Sequence, residues 1–273
     1  MSDLIYHYTS MKTLQKILEN VKGDKLTLRA TDIRYLNDIT EGEIATELLK
    51  EKLIVHENSL PENDKKNIGK HLTDSKLNFF KRIDPDDPYP FIFSMSKSRD
   101  SLPMWNTYAD NSLGVAIGFK KQLLENIDYQ YGFKFYDCDY EQKEIYKYIE
   151  SNIVKMYRTI AINANLIGIF SDLKGDLWGY FKESVPILKH HSFSYEKESR
   201  LVFQYPINLE NIDSHFKSIG FNIKDGLPKP FIEFKIDKSL IGEIIIGPCV
   251  NYDLASDSLF RMLKKAGIDS TKS

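Results

Sequence analysis

Hydrophobic and polar positions change period repeatedly along the chain, and the changes divide it into short strands and short helices. Leu4 to Tyr8 is β-prone, and Thr9-Ser10 caps a helix carrying Leu14, Ile17 and Leu18 on one stripe. Asn20 to Asp24 turns the chain into a strand around Lys25 to Arg29. Asn37-Asp38 suits a turn, and Thr40 with Glu43 makes a capping box before a helix that buries Ile44, Leu48 and Leu53. Apolar spacing predicts another helix from roughly Glu62 to Arg82. The segment Asp84 to Pro90, DPDDPYP, is a stiff connector.

The stretch Phe91 to Phe119, FIFSMSKSRDSLPMWNTYADNSLGVAIGF, reads as strand, turn, short helix, strand. Arg99-Asp100-Ser101 starts the helix, and Pro103 is tolerated in its first turn because its missing N–H has no partner there. Met104, Trp105 and Tyr108 follow at helical spacing, and Asn111 with Gly114 end it. The unit folds without needing Ser94, Ser96, Trp105 or Tyr108. Alternating hydroxyls before an aromatic-rich helix suit the wall of a pocket for a flat polar ligand. The competing role for the aromatics is core packing: Trp105 buried against the Phe91–Met95 strand, its N–H on a backbone acceptor.

Beyond Phe119 the pattern predicts a helix over Lys121 to Glu125 and a strand in YGFKFYDCDY with Phe133 and Phe135 on one face. Glu141 to about Phe181 is helical with a break near Gly175, and Lys189 to Tyr205 returns to strand character. Ile232–Ile236 and Glu243–Ile246 are strands, Gly247-Pro248 stops the latter, and Leu254 to Lys265 is an amphipathic helix. The fold class is α+β, with mixed or mainly antiparallel sheets and helical insertions. Residues 1–273 read as a single domain with a helical insertion around 141–188.

Composition narrows the function classes. A formal net charge of -2 gives no bulk electrostatic footprint for nucleic acid or a membrane surface. The two cysteines, Cys138 and Cys249, are far apart and lack metal-ligand spacing, which suits a reducing cytoplasm. The opening MSDLIYHYTS has neither a basic nor a long apolar segment, so no signal peptide is expected, and no apolar run reaches membrane-spanning length.

Three polar clusters interrupt the regular patterns. Tyr6-His7-Tyr8-Thr9 offers a strand-end imidazole that can donate to a ribose hydroxyl or a phosphate. Asn37-Asp38 with Glu41 offers carboxylates at a helix start, where turn chemistry explains them equally well. Glu196-Lys197-Glu198-Ser199-Arg200, read as a strand, projects Glu196, Glu198 and Arg200 from one face, about 7 Å apart per step. At that spacing each carboxylate can take its own role on one ligand, unless Glu198 and Arg200 merely pair on a solvated face.

At these residues the chain resembles a widespread, poorly characterised bacterial domain family. The shared motifs are Tyr6 to Thr9, Leu36 to Glu41, Phe93 to Ser96, Met104 to Ala109, Glu196 to Arg200 and Ile244 to Pro248. That resemblance implies no settled activity, with some relatives suspected in phage defence. A more distant likeness is to the ADP-ribosyltransferases, through an early His, a middle Ser or Tyr segment and a late Glu. It implies an ADP-ribosyltransferase-like fold and an enzyme, transferase or glycohydrolase, acting on NAD without a metal. His7, with Tyr8 and Thr9, would hold the nicotinamide-side ribose. Ser94 or Ser96, with Trp105 and Tyr108, would support the nicotinamide, and Arg200 would join that binding set. Glu198 would stabilise the oxocarbenium-like transition state, and Glu196 would activate the acceptor. The chemistry mainly needs orientation and negative charge beside the developing cation.

Two other classes stay open. A metal-dependent hydrolase or nuclease would use Asp38, Glu41, Glu196, Glu198 and His190 around a divalent ion. A non-catalytic module would bind a nucleotide or a protein through Trp105 and Tyr108. The acceptor, and the macromolecular partner with it, is not readable from these residues.

Overall fold

The computed structural model of the chain describes residues 3–36, 89–124, 133–143, 183–203, 219–224, 226–249 and 251–268, with scattered positions between 44 and 62 and at 147 and 151. The residues group into two compact units. One comprises Met1–Tyr35, Pro90–Asp137 and Ser194–Ser273; the other comprises Leu36–Tyr89 and Cys138–Phe193.

The first unit is built on an antiparallel sheet. In chain order its elements are β1 (Leu4–Thr9), α1 (Met11–Glu19), β2 (Lys25–Asp32), β3 (Phe91–Ser96) and α2 (Leu102–Tyr108). Then come β4 (Val115–Lys120), α3 (Lys121–Leu124), β5 (Phe133–Asp137) and β6 (Glu198–Phe203). β7 (Gly220–Lys224), β8 (Leu227–Asp237), β9 (Ile241–Ile246) and α4 (Tyr252–Lys265) complete it. Helices with a curled antiparallel sheet make the class α+β, as the patterning predicts.

The strands run β7-β8-β2-β3-β1-β4-β9, and β6 joins β3 and carries β5. β3 is the junction. One of its edges pairs with β6 over its whole length, from Phe91↔Phe203 to Ser96↔Glu198. The other edge is shared: β2 pairs at Phe91 and Ile92, and β1 pairs at Ser96. Between them Phe93, Ser94 and Met95 face no strand on that edge among the described residues. The sheet forks there, with β2 on one branch and β1 on the other.

The main core fills one face of this sheet. Ile5, Phe93, Met95, Ile117, Phe119, Leu201, Phe203, Phe234 and Ile236 are buried there with Leu14, Ile17 and Leu18 of α1 and Leu259 and Leu263 of α4. Ser10 caps α1 by accepting from the Thr13 N–H, as its position before the apolar stripe predicts. A smaller cluster covers the opposite face of β1 and β4: Tyr6, Tyr8 and Ala116 pack under Met104, Trp105 and Ala109 of the α2 segment. β1 is therefore buried on both faces, which is why its residues do not alternate cleanly between apolar and polar.

Two segments differ from their sequence patterns. Residues 191–196 form a 3-10 helix, and β6 starts only at Glu198, so the expected strand from Lys189 is shorter by its first half. The patterns predict no strand over β7 or the first half of β8, and within β8 Pro228 and Pro230 argue against one. The prolines fit because β8 pairs with β2 only from Phe231 onward, and Pro228 and Pro230 lie beyond that ladder, paired with β7 alone.

In the second unit Ile44 and Leu48 are helical, as expected, with Leu48 buried. A bridge joins Asp139 to Leu188, and Val185 and Leu188 are buried. The turn at Asn37-Asp38, the Thr40–Glu43 capping box, Leu53, the expected helix beyond Glu62, the connector up to Pro88 and most of the 141–188 insertion lie outside the described residues. Among the described residues no helix is long and apolar enough to cross a membrane.

Candidate functional site

Register decides which side chains can meet. Directly opposed residues of an antiparallel pair share a face, and alternate residues of one strand share it too. Ser94 lies opposite Arg200, Ser96 opposite Glu198, and Tyr6 opposite Ser96. Ser94, Ser96, Glu198, Arg200, Tyr6 and Tyr8 therefore project from one face of the β1-β3-β6 strip. It is the face opposite the main core.

At its centre Glu198 and Arg200 form a bidentate pair, Nε to Oε1 at 2.8 Å and Nη2 to Oε2 at 3.0 Å. Arg200 is 1% exposed and Glu198 5%, so the pair stands in a low-dielectric setting rather than on a solvated strand face. Two of the carboxylate's roughly four lone-pair directions go to the guanidinium.

Glu196 does not follow in the strand alternation. It ends the 3-10 helix, and Lys197 takes a left-handed backbone, φ 43°, which swings the chain into β6. The bend is tied on both sides: the Lys197 carbonyl accepts from the Lys97 N–H at 3.0 Å, and the Ser96 hydroxyl donates to the Glu196 carbonyl at 2.5 Å. Ser96 also accepts from the Ser98 N–H at 3.0 Å. With its side chain fully buried, Ser96 is a clamp between two loops. The Glu196 carboxylate accepts from the Tyr108 hydroxyl at 2.8 Å, which draws α2 toward the start of β6.

Trp105 is buried, as expected of a core aromatic, but its partners differ from the expected ones. Its ring meets Tyr8 of β1 edge to face at 4.9 Å, and its N–H donates to the Asp100 carboxylate at 2.7 Å instead of to a backbone carbonyl. Tyr8 donates to the Ser98 carbonyl at 2.8 Å, and burial pushes its hydroxyl up to about 12. Neither ring is open for a ligand to stack on; Tyr108 keeps partial exposure.

Sequence reasoning missed Glu243 and Arg99. Glu243 accepts from the Tyr6 hydroxyl at 2.7 Å and takes both Nε and Nη2 of Arg99 at 3.0 Å. Hydrogen bonding to Arg99 holds its carboxyl below the usual range, and burial together with Glu243 pushes the Tyr6 hydroxyl up. The available signal was a single charge inside the apolar strand IGEIII. Gly118, between the two on β4, leaves room for the Tyr6 ring; a Cβ there would stand 2.9 Å from it.

His7 and Thr9 turn the other way. Alternation along β1 sends both toward the main core, and His7 stacks on Phe93 with centroids 4.4 Å apart and planes at 27°. Its Nδ1 lies 2.9 Å from the Ser94 carbonyl oxygen. A carbonyl can only accept, so Nδ1 carries the proton. Burial lowers the pKa of the ring and favours the neutral form. Thr9 is buried opposite Val115. The structure thus gathers Tyr8, Ser94, Ser96, Trp105, Tyr108, Glu196, Glu198 and Arg200 around one face, while His7 reaches it only through the main chain of Ser94.

Of the residues a metal site would need, Asp38 and Glu41 lie outside the described residues, and His190 is exposed in the second unit against His191. Among the described residues no group of three or more His, Cys, Asp and Glu stands close enough to hold a metal ion.

Residues 104–201 match the family described as "Protein of unknown function (DUF2971)". The match runs from α2 to β6 and takes in Trp105, Tyr108, Glu196, Glu198 and Arg200, in keeping with the uncharacterised domain family that the motifs resemble. The motifs at Tyr6, Leu36, Phe93 and Ile244 lie outside it. No curated protein and no solved structure matches the chain.

Proposed function

We propose that the chain is an ADP-ribosyltransferase-like enzyme that cleaves the nicotinamide N-glycosidic bond of NAD and passes ADP-ribose to water or a macromolecule. The supporting observation is adjacency. β1, β3 and β6, which carry the early His, the middle serines and the late Glu, are neighbours in that order, although 87 residues separate His7 from Ser94.

In the proposed reaction the bond from ribose C1′ to the pyridinium nitrogen breaks, and its electron pair leaves with neutral nicotinamide. The cation left at C1′ is stabilised by negative charge placed beside it, the role of Glu198. Arg200 orients that carboxylate. Ser94, half-buried and opposite Arg200 on the same face, supports the substrate in this reading. Glu196, held by Tyr108, takes the proton of the acceptor that attacks C1′. His7 acts behind Ser94 and does not touch the ribose. No metal enters the reaction. A cytoplasmic location and a defensive role against phage belong to this same reading.

The test is incubation of the pure protein with NAD, reading free nicotinamide. Release by the wild type, lost in Glu198→Gln that remains folded by circular dichroism, supports the reading. Intact NAD after long incubation, or equal release by both proteins, overturns it.

A further inference from the structure

We infer that His7 is a positioning residue for the face that carries Glu198, acting through the main chain of Ser94 where the sheet divides; only the activity readout of this inference rests on the function proposed above. At the fork the edge of β3 away from β6 has no strand partner, among the described residues, between Ile92, which pairs with β2, and Ser96, which pairs with β1. Buried backbone polar groups need hydrogen-bond partners, and a gap in a ladder removes them. His7 reaches across from β1 and supplies Nδ1–H to the Ser94 carbonyl at 2.9 Å.

A ring needed only for packing would carry no such donor. Stacking on Phe93 fixes the plane of the imidazole, so Nδ1 has one direction in which to point. The Ser94 side chain emerges on the other face, opposite Arg200, and Arg200 grips Glu198. A shift of the Ser94 main chain is therefore felt on the face where His7 itself is absent. Among the described residues β1 and β3 share one register pair, Tyr6↔Ser96, and the His7–Ser94 bond adds a second link two residues along β3 toward Arg200 of β6.

The test compares two replacements. His7→Phe keeps a ring over Phe93 and removes the donor. His7→Asn removes the ring but attaches an N–H donor to Cγ, at the same branch point as Nδ1. Amide hydrogen exchange across Ser94, Met95 and Arg200 should accelerate on the order of tenfold in His7→Phe and stay near wild type in His7→Asn. Nicotinamide release should fall in kcat by ten- to about a hundredfold in His7→Phe with KM little changed, and recover most of that loss in His7→Asn. Should His7→Phe not fold, His7→Gln, whose amide sits one bond further out, takes its place with the same expected exchange and kinetic losses. Equal exchange rates in the donor-lacking variant and the wild type overturn the inference. A wild type that releases no nicotinamide defeats the functional reading alone, since the exchange measurement still decides the role of His7.

Discussion

Glu198 and Arg200 stand two residues apart on β6 and hold each other by two parallel hydrogen bonds, both side chains buried. The pairing follows from strand geometry, because i and i+2 project from the same face. Its burial follows from β3, β5 and β6 lying together, which no local pattern encodes. A buried pair is weak evidence for stability in itself, yet breaking one member leaves the other charged and unpartnered by it.

Arg200→Ala should therefore destabilise the fold by about 3–5 kcal/mol. Glu198→Gln should also cost stability, since an amide cannot neutralise the guanidinium. Urea unfolding of both variants measures this. A change below about 1 kcal/mol in Arg200→Ala, the range of surface pairs, would show that the pair is not buried in solution.

Trp105→Ala should cost about 3–5 kcal/mol, as large-to-small changes in a packed cluster do. Trp105→Phe keeps the contact with Tyr8 and loses the bond to Asp100, so its loss should be smaller. Thermal melts rank the two; an alanine variant that melts with the parent places Trp105 at the surface.

Ser96→Ala removes a hydroxyl that serves the Ser98 N–H and the Glu196 carbonyl at once. The expected cost is about 1–3 kcal/mol, because the hydroxyl stands in a fully buried place. Ser94→Ala, at a half-buried position, should cost less. Equal midpoints for the two in denaturant would mean that the Ser96 clamp is not formed.

Stability should depend on pH through His7 and Tyr8. The folded His7 has a pKa below its ordinary value, so the unfolded chain binds the proton first as pH falls. The contribution is full above about 6.5 and declines as pH drops below it. Tyr8 is raised to about 12, so its contribution is full below about 10 and is lost as pH rises toward 12. Denaturation at pH 7.5 and 5.5 should show a larger loss for wild type than for His7→Phe. A spectrophotometric titration of Tyr8→Phe against wild type should remove a phenol ionising near 12 rather than 10. Parallel losses in the first case, or a missing phenol near 10 in the second, would contradict these assignments.

Local pattern determined much of this protein. The apolar stripe of α1 with Ser10 before it, the β-prone run at Phe91, Pro103 in the first turn of α2 and the break at Gly247-Pro248 all depend on interactions within a few residues, and all stand where their patterns put them. So does the choice of α+β. Strand order, register and the fork at β3 depend on contacts between segments far apart in the chain, so only the tertiary structure decided them. Those contacts set which face each polar residue takes. Side chains alternate with a period of two, and one bend at Lys197 is enough to take Glu196 out of the alternation that Glu198 and Arg200 keep. The same parity sends Tyr8 to the Glu198 face and its neighbour His7 to the opposite one: adjacency in sequence named the pair, and the sheet separated them.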